Sequence, residues 1–249
     1  MGLGSGGFPV LQQLVQSGVH RFTLIDHDQM DEVNLVKHPA LRADIGRAKT
    51  EIAREWILDR NPNADVLVLE ADLFDLVGTR DLESAFGRSA MVVCATDTNG
   101  SRELVNDVCI EHETPYTLGS VHRGGSGGTV FLYRPGYGCF MCMKTIAEGL
   151  DSLPAHEGPL SEDEERAIYG RGDTDYGTAG LASDIALIAS IHAQVTLSLL
   201  MSLEAPKDEA GLPDPPAWIS MSARESDRWI WQSTLLPVPR IDGCVSCAS

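Results

Sequence analysis

Two Cys-x-x-Cys pairs constrain this chain more than any other feature. Cys139 and Cys142 lie in YGCFMCM, and Cys244 and Cys247 lie in GCVSCAS about a hundred residues further on. Two short-spaced thiol pairs are the pattern of a closed, four-thiolate zinc site. Four thiolates leave Zn2+ no open coordination position, so the metal is structural and does no chemistry. Such a site ties the middle of the chain to its far end and makes everything between them one folded unit. With six cysteines and an opening run of glycines, the expectation is a cytoplasmic protein that uses thiols for metal rather than for disulfides.

The 249 residues suffice for one large α/β domain or two small ones. The two thiol pairs favour a single domain over residues 1–249. The balance of 19 basic against 36 acidic residues, or −17, argues against sequence-independent binding of nucleic acid, which needs a basic face. The most apolar stretch, residues 181–203, is interrupted by Ser183, Asp184, Ser190, His192, Gln194 and Ser198, so it reads as a core helix and not a membrane span.

Periodicity and punctuation predict helices over residues 8–17, 49–60, 81–86, 102–112 and 181–203. Strands are predicted over 20–26, 66–70, 91–95, 115–121 and 129–134, with paired strands at 218–222 and 229–233. MVVCA at 91–95 is apolar throughout, as in a parallel sheet covered on both faces. The alternation implies a Rossmann-like, doubly wound, mostly parallel sheet, followed by antiparallel C-terminal strands. Residues 148–177 form an acidic segment rich in Gly and Pro, too long for an ordinary connector. Residues 204–216 read as a linker.

The chain opens on Gly2-Leu3-Gly4-Ser5-Gly6-Gly7, in which Gly2, Gly4 and Gly7 fit G-x-G-x-x-G. In that pattern the first glycine allows a tight turn, the second lets backbone approach a phosphate, and the third lets helix and strand pack closely. The helix that follows points its first N–H groups at the anion. Such a turn ordinarily follows a strand, yet only Met1 precedes it. The first strand is therefore expected to be missing, as in a piece of a longer protein or a start assigned too late. Asp26, nineteen residues after Gly7, can accept from ribose hydroxyls or simply end its strand in a turn or cap.

On these features alone a nicotinamide-dependent oxidoreductase leads. The next residues change that reading. Asn34, Lys37 and Lys49 supply a neutral donor and two cations close to Asp26 in sequence, which suits a nucleoside triphosphate and a pyrophosphate leaving group. As isolated residues the lysines are equally solvated helix ends. Asp97, just past the strand at 91–95, is placed to hold Mg2+ or to cap the next helix.

The ordered set resembles the ubiquitin-activating-enzyme-like superfamily, the ThiF/MoeB-type adenylyltransferases, over nearly the whole chain. The set comprises the glycine turn and Asp26 with Asn34 eight residues on, then Asp44-Ile45-Gly46 leading to Lys49. Cys94-Ala95-Thr96-Asp97 follows, with Arg102, Asn106 and Cys109 after it, and then Gly127-Gly128 and both thiol pairs. The resemblance implies that ATP binds at the carboxyl ends of the strands. The C-terminal carboxylate of a ubiquitin-like protein or peptide, usually ending in Gly-Gly, is implied to attack the α-phosphate and release pyrophosphate. It further implies that Gly2, Gly4, Gly6, Gly7 and Asp26 bind nucleotide, that Asn34, Lys37 and Lys49 address the phosphates, and that Asp97 holds Mg2+. Residues 148–177 correspond to a crossover loop, and a homodimer is expected. Lys37 stands where the family usually has arginine, which keeps the charge and loses the fork geometry. No cysteine lies between Cys142 and Cys244, and Cys94 and Cys109 sit on apolar faces, so a thioester step is not expected. The alternative is a catalytically silent, zinc-stabilised binding or dimerisation module of the same fold.

Overall fold

The computed structural model describes residues 1–122, 127–149, 182–203, 217–222 and 232–248. Helix α1 (Gly7–Gln16) buries Phe8, Val10, Leu11, Leu14 and Val15, a stripe at helical spacing. It stops at Gly18, whose φ of +95° only glycine adopts without strain. The Gly18 N–H then bonds Val15 O and the Val19 N–H bonds Leu14 O, the paired closure that satisfies the last carbonyls of a helix. Strand β1 (Arg21–Ile25) follows, then a loop with two 3-10 turns (Glu32–Asn34 and Arg42–Asp44). Helix α2 (Lys49–Arg60), strand β2 (Asp65–Leu69), and two short helices, α3 (Leu73–Leu76) and α4 (Arg80–Gly87), complete the first half.

The second half contains β3 (Val92–Cys94), α5 (Asn99–Glu111), β4 (Tyr116–Val121), β5 (Gly127–Tyr133), α6 (Phe140–Glu148), α7 (Ala182–Ser202), β6 (Ala217–Ser222) and β7 (Gln232–Pro237). The strands form two ladders, β1-β2 and β3-β4-β5-β6-β7. β1 pairs with β2 in parallel, and so does β3 with β4, while β4-β5, β5-β6 and β6-β7 are antiparallel. The fold is thus a Rossmann-like mixed α/β architecture, and the expectation of a mostly parallel sheet is corrected. The cause is local. Only residues 122–126 separate β4 from β5, and a hairpin of that length cannot make the crossover a parallel pair requires.

Between the two ladders lies the backbone of Met1 and Gly2. The Met1 ammonium donates to Val93 O (2.8 Å) and the Ala95 N–H to Met1 O (3.0 Å), while the Gly2 N–H reaches across to Ile25 O (3.0 Å). These two residues join β1 to β3. Burial holds the Met1 amine below its ordinary pKa.

Three further boundaries differ from the sequence reading. α5 starts at Asn99, not 102, because Thr98 Oγ1 accepts the Ser101 N–H (3.2 Å) and caps the helix there. α3 was not anticipated; Asp72 caps it through the Phe74 N–H (2.9 Å). The last strand spans 232–237 and not 229–233, its register fixed by pairs such as Ile219↔Leu235. Trp229 and Trp231, the linker at 204–216 and nearly all of the expected crossover loop lie outside the described residues.

α7 is the one helix among the described residues long and apolar enough to cross a membrane. It packs on α1, β4 and β5, burying Ile185, Ile188, Ala189, His192, Ala193, Thr196 and Leu199. His192 Nε2 lies 3.0 Å from Thr117 Oγ1, which in turn lies 2.7 Å from Thr196 Oγ1. Gly119 of β4 leaves room for this imidazole, since a Cβ there would collide with His192 Nδ1. α7 is therefore a helix of the core.

Candidate active site

The glycine turn packs against the end of β3. Gly2 has φ +78°, and a Cβ on it would stand 2.7 Å from Ala95 O. A Cβ on Gly7 would collide with the Gly2 carbonyl and stand 3.1 Å from the Ala95 Cβ. Gly4 and Gly6 would meet nothing, so the outer side of the turn is open. Gly6 precedes α1 and carries no side chain to cap it, which leaves the first N–H groups of the helix uncapped by side chains.

Leu3, between the glycines, is held at three points. Its side chain is buried with Phe8, Leu11 and Leu24. Its N–H donates to Asp26 Oδ2 (2.6 Å), and its carbonyl lies 2.9 Å from His38 Nε2. Asp26 Oδ1 also accepts the Asp28 N–H (2.8 Å). Asp28 Oδ2 in turn accepts Lys49 Nζ (2.6 Å), and the Lys49 N–H bonds Asp28 O (3.0 Å). One chain of contacts thus joins the turn, Asp26, His38, Asp28 and Lys49.

Asp97 is exposed just beyond β3, and the Ala95–Thr96 backbone before it lines the turn. Arg102 Nε donates to Thr96 O (3.1 Å) and Nη1 to Asn99 Oδ1 (3.2 Å), which fixes this segment against α5. Asn34 and Lys37 sit in the loop after β1. The Asn34 carbonyl accepts the N–H groups of Lys37 (3.1 Å) and His38 (2.8 Å). Lys37 is half-buried and has no ion-pair partner among the described residues; burial lowers its pKa. Sequence reasoning passed over Asp28, the partner of Lys49. Its signal was the Asp26-His27-Asp28 run, which brings three possible ligands within 4.8 Å of one another.

The four pair cysteines form a separate centre where α6 begins. Sγ–Sγ distances are 3.9 Å for Cys139–Cys142, 3.6 Å for Cys139–Cys244 and 3.5 Å for Cys142–Cys247. Thiolates about 2.3 Å from a tetrahedral ion stand roughly 3.8 Å apart. Disulfide sulfurs stand about 2.05 Å apart, so the geometry fits a metal and not bridges. A Cβ on Gly138 would stand 2.5 Å from Pro239 O, so this glycine lets the two thiol loops approach. The Ile241 N–H points at Cys142 Sγ (3.4 Å), the kind of outer donor that steadies a thiolate. Cys94 and Cys109 are fully buried, and burial pushes the Cys109 thiol up.

Residues 1–212 match the ThiF family, and the chain belongs to it. It is 25% identical over 232 residues to the sulfur carrier protein ThiS adenylyltransferase of Escherichia coli, covering 91% of this chain and 81% of that protein. It is 32% identical over 145 residues to the adenylyltransferase and sulfurtransferase UBA4 of Meyerozyma guilliermondii, covering 56% of this chain and 33% of that one. It is 33% identical over 134 residues to the probable adenylyltransferase/sulfurtransferase MoeZ of Mycobacterium tuberculosis, covering 53% of this chain and 33% of that one. The matches to UBA4 and MoeZ thus span about a third of those proteins' length. Among solved structures, E. coli MccB with MccA-N7isoASN superposes with a TM-score of 0.71 at 21% identity, over all of this chain and 66% of MccB. That likeness supports the ThiF-type fold.

Proposed function

We propose that this protein uses ATP to adenylylate the C-terminal carboxylate of a ubiquitin-like protein or peptide. The observation that carries the reading is the junction of the open glycine turn, Asp26 and the Ala95–Asp97 segment beside the Asp28–Lys49 pair, in a chain of the ThiF family. The relatives' names, adenylyltransferases all, support it.

In this reading Asp26 accepts from the ribose hydroxyls, and the N–H groups at Gly4, Gly6 and Gly7 face the phosphates. Lys37 brings a half-buried ammonium with no counter-ion among the described residues, and Lys49 swings from Asp28 toward phosphate. Asn34 adds a neutral donor. Asp97 holds Mg2+, which neutralises phosphate charge. A carboxylate oxygen of the acceptor attacks the α-phosphorus, a P–O bond to the α-phosphorus forms, the bond to the bridging oxygen breaks, and pyrophosphate leaves. The acceptor's tail ends in Gly-Gly, narrow enough to lie beside the turn. Cys94 and Cys109 are buried, so the chemistry stops at the acyl-adenylate and no thioester forms. Cys139, Cys142, Cys244 and Cys247 hold a structural Zn2+.

The wider proposals are a cytoplasmic homodimer and one adenylation domain over residues 1–249, with residues 148–177 covering the acceptor's tail.

A specific observation favours the silent-module reading as the alternative. Both Asp26 oxygens already accept backbone N–H groups, and Lys49 already has a carboxylate. Calorimetric titration with Mg-ATP separates the two. The enzyme reading expects saturable binding that Lys49→Ala weakens; no binding at millimolar ATP leaves the silent module.

A further inference from the structure

His38 sits 5% exposed beneath the glycine turn, edge-on to Phe8 with ring centroids 4.9 Å apart. The Ala40 N–H donates to its Nδ1 at 3.0 Å. That nitrogen therefore carries no proton, and the ring's single N–H is on Nε2. Nε2 lies 2.9 Å from Leu3 O, so it donates there. The opposite side of Leu3 is fixed by Asp26 Oδ2 through the Leu3 N–H.

Leu3 lies between one glycine that is closely packed and one that is open. Gly2 is locked against Ala95, whereas Gly4 is open. Across the trans Leu3–Gly4 peptide the Leu3 carbonyl faces His38 and the Gly4 N–H points the opposite way, so rotation that breaks the bond to His38 also re-aims the Gly4 N–H. Within the turn, the Phe8 N–H bonds the Gly4 carbonyl (3.0 Å) on the far side of this residue, and glycine at position 4 adds little steric resistance to rotation of the peptide before it. Among the described residues, the side chain that bonds the Leu3 carbonyl is His38, thirty-five residues away.

The geometry points to His38, neutral and protonated on Nε2, as the positioning residue that fixes the Leu3–Gly4 peptide so that the turn presents its N–H groups to phosphate. This deepens the ATP-dependent reading and rests on it. The imidazole touches neither nucleotide nor acceptor; it acts through the Leu3 carbonyl.

Two substitutions separate its two bonds. His38→Gln keeps a donor near the Nε2 position, and His38→Asn keeps an acceptor near the Nδ1 position but withdraws the donor from Leu3. In ATP–pyrophosphate exchange with the full chain, His38→Asn is expected to raise KM for ATP about tenfold, the worth of roughly one hydrogen bond, with kcat little changed. His38→Gln is expected to stay within about threefold of the parent. In amide hydrogen exchange without nucleotide, His38→Asn should make the Leu3 amide, bonded to Asp26 in the parent, exchange about tenfold faster, and His38→Gln should not. Equal KM values for the parent and His38→Asn, or unchanged protection at Leu3, overturn the inference. So does an equal loss in both variants, which marks a packing role. A parent protein that neither binds nor turns over ATP overturns the enzyme reading instead, and the amide exchange then decides the role of His38 alone.

Discussion

Lys49 Nζ donates to Asp28 Oδ2 at 2.6 Å, yet the two side chains differ in exposure, 7% for Lys49 and 51% for Asp28. The lysine is a nearly buried cation whose carboxylate partner stands at the rim of the site. In the proposed reading, a triphosphate at the glycine turn replaces that partner at small desolvation cost.

Asp28→Asn should therefore lower stability without nucleotide by about 1–2 kcal/mol, because a buried ammonium loses its counter-charge. Saturating Mg-ATP should narrow the gap, since bound phosphate supplies the charge to the folded state only. Urea unfolding of parent and variant, with and without Mg-ATP, checks this. A gap that nucleotide leaves unchanged means that phosphate does not reach Lys49. Lys49→Ala should lower pyrophosphate exchange about a hundredfold.

Burial pushes the His192 pKa down to about 4, against an ordinary value near 6.5 in the unfolded chain. The native imidazole stays neutral where the unfolded one takes up a proton. Its contribution is thus complete above about pH 6.5 and is lost as pH falls toward about 4, roughly 3 kcal/mol in all. Urea unfolding between pH 7 and pH 4.5 should be shallower in pH for His192→Gln than for the parent. Parallel slopes would show that His192 titrates as a solvated group.

Asn106 Oδ1 accepts both the Tyr116 hydroxyl (2.8 Å) and the Phe140 N–H (2.9 Å), so one buried side chain joins α5 to β4 and to the start of α6. Asn106→Ala strands two buried donors and should cost about 2–4 kcal/mol. Because Phe140 follows Cys139, the variant should also release zinc faster to a chelator. Unfolding curves and a colorimetric zinc-release assay read the two effects.

The thiol centre is expected to hold about one zinc per chain. Cys244→Ser, or a strong chelator, should lower the melting temperature and loosen the 241–248 segment. Retention of full stability by the chelated, metal-free protein would show that the four thiols close no site.

Much of this was legible along the chain, for identifiable reasons. α2 matches its expected span because its apolar positions run straight into the Asn61-Pro62 stop. The thiol centre was legible because cysteine spacing is a local code for a tertiary contact. Lys49 stood out as a charge, but its partner did not, since the Asp28 contact crosses from the end of β1 to the start of α2. The tie from His38 to Leu3 spans thirty-five residues and depends on which ring nitrogen carries hydrogen. No periodicity encodes that. The apolar runs alone read the same in either direction, but the antiparallel turn into β5 was legible in the short interval between the strands predicted at 115–121 and 129–134, too brief for a crossover.

The central claim is activation of a carboxylate at the glycine turn, and it is tested most directly by observing the product. The full-length protein is incubated with Mg-ATP and a ubiquitin-like protein ending in Gly-Gly, and the mixture is read by intact mass spectrometry and pyrophosphate release. The account predicts an acyl-adenylate on the acceptor's C-terminus, stoichiometric pyrophosphate, and loss of both in Asp97→Asn with no thioester on any cysteine. Absence of adenylate and pyrophosphate across Gly-Gly proteins and free peptide carboxylates, with ATP unbound, would contradict it.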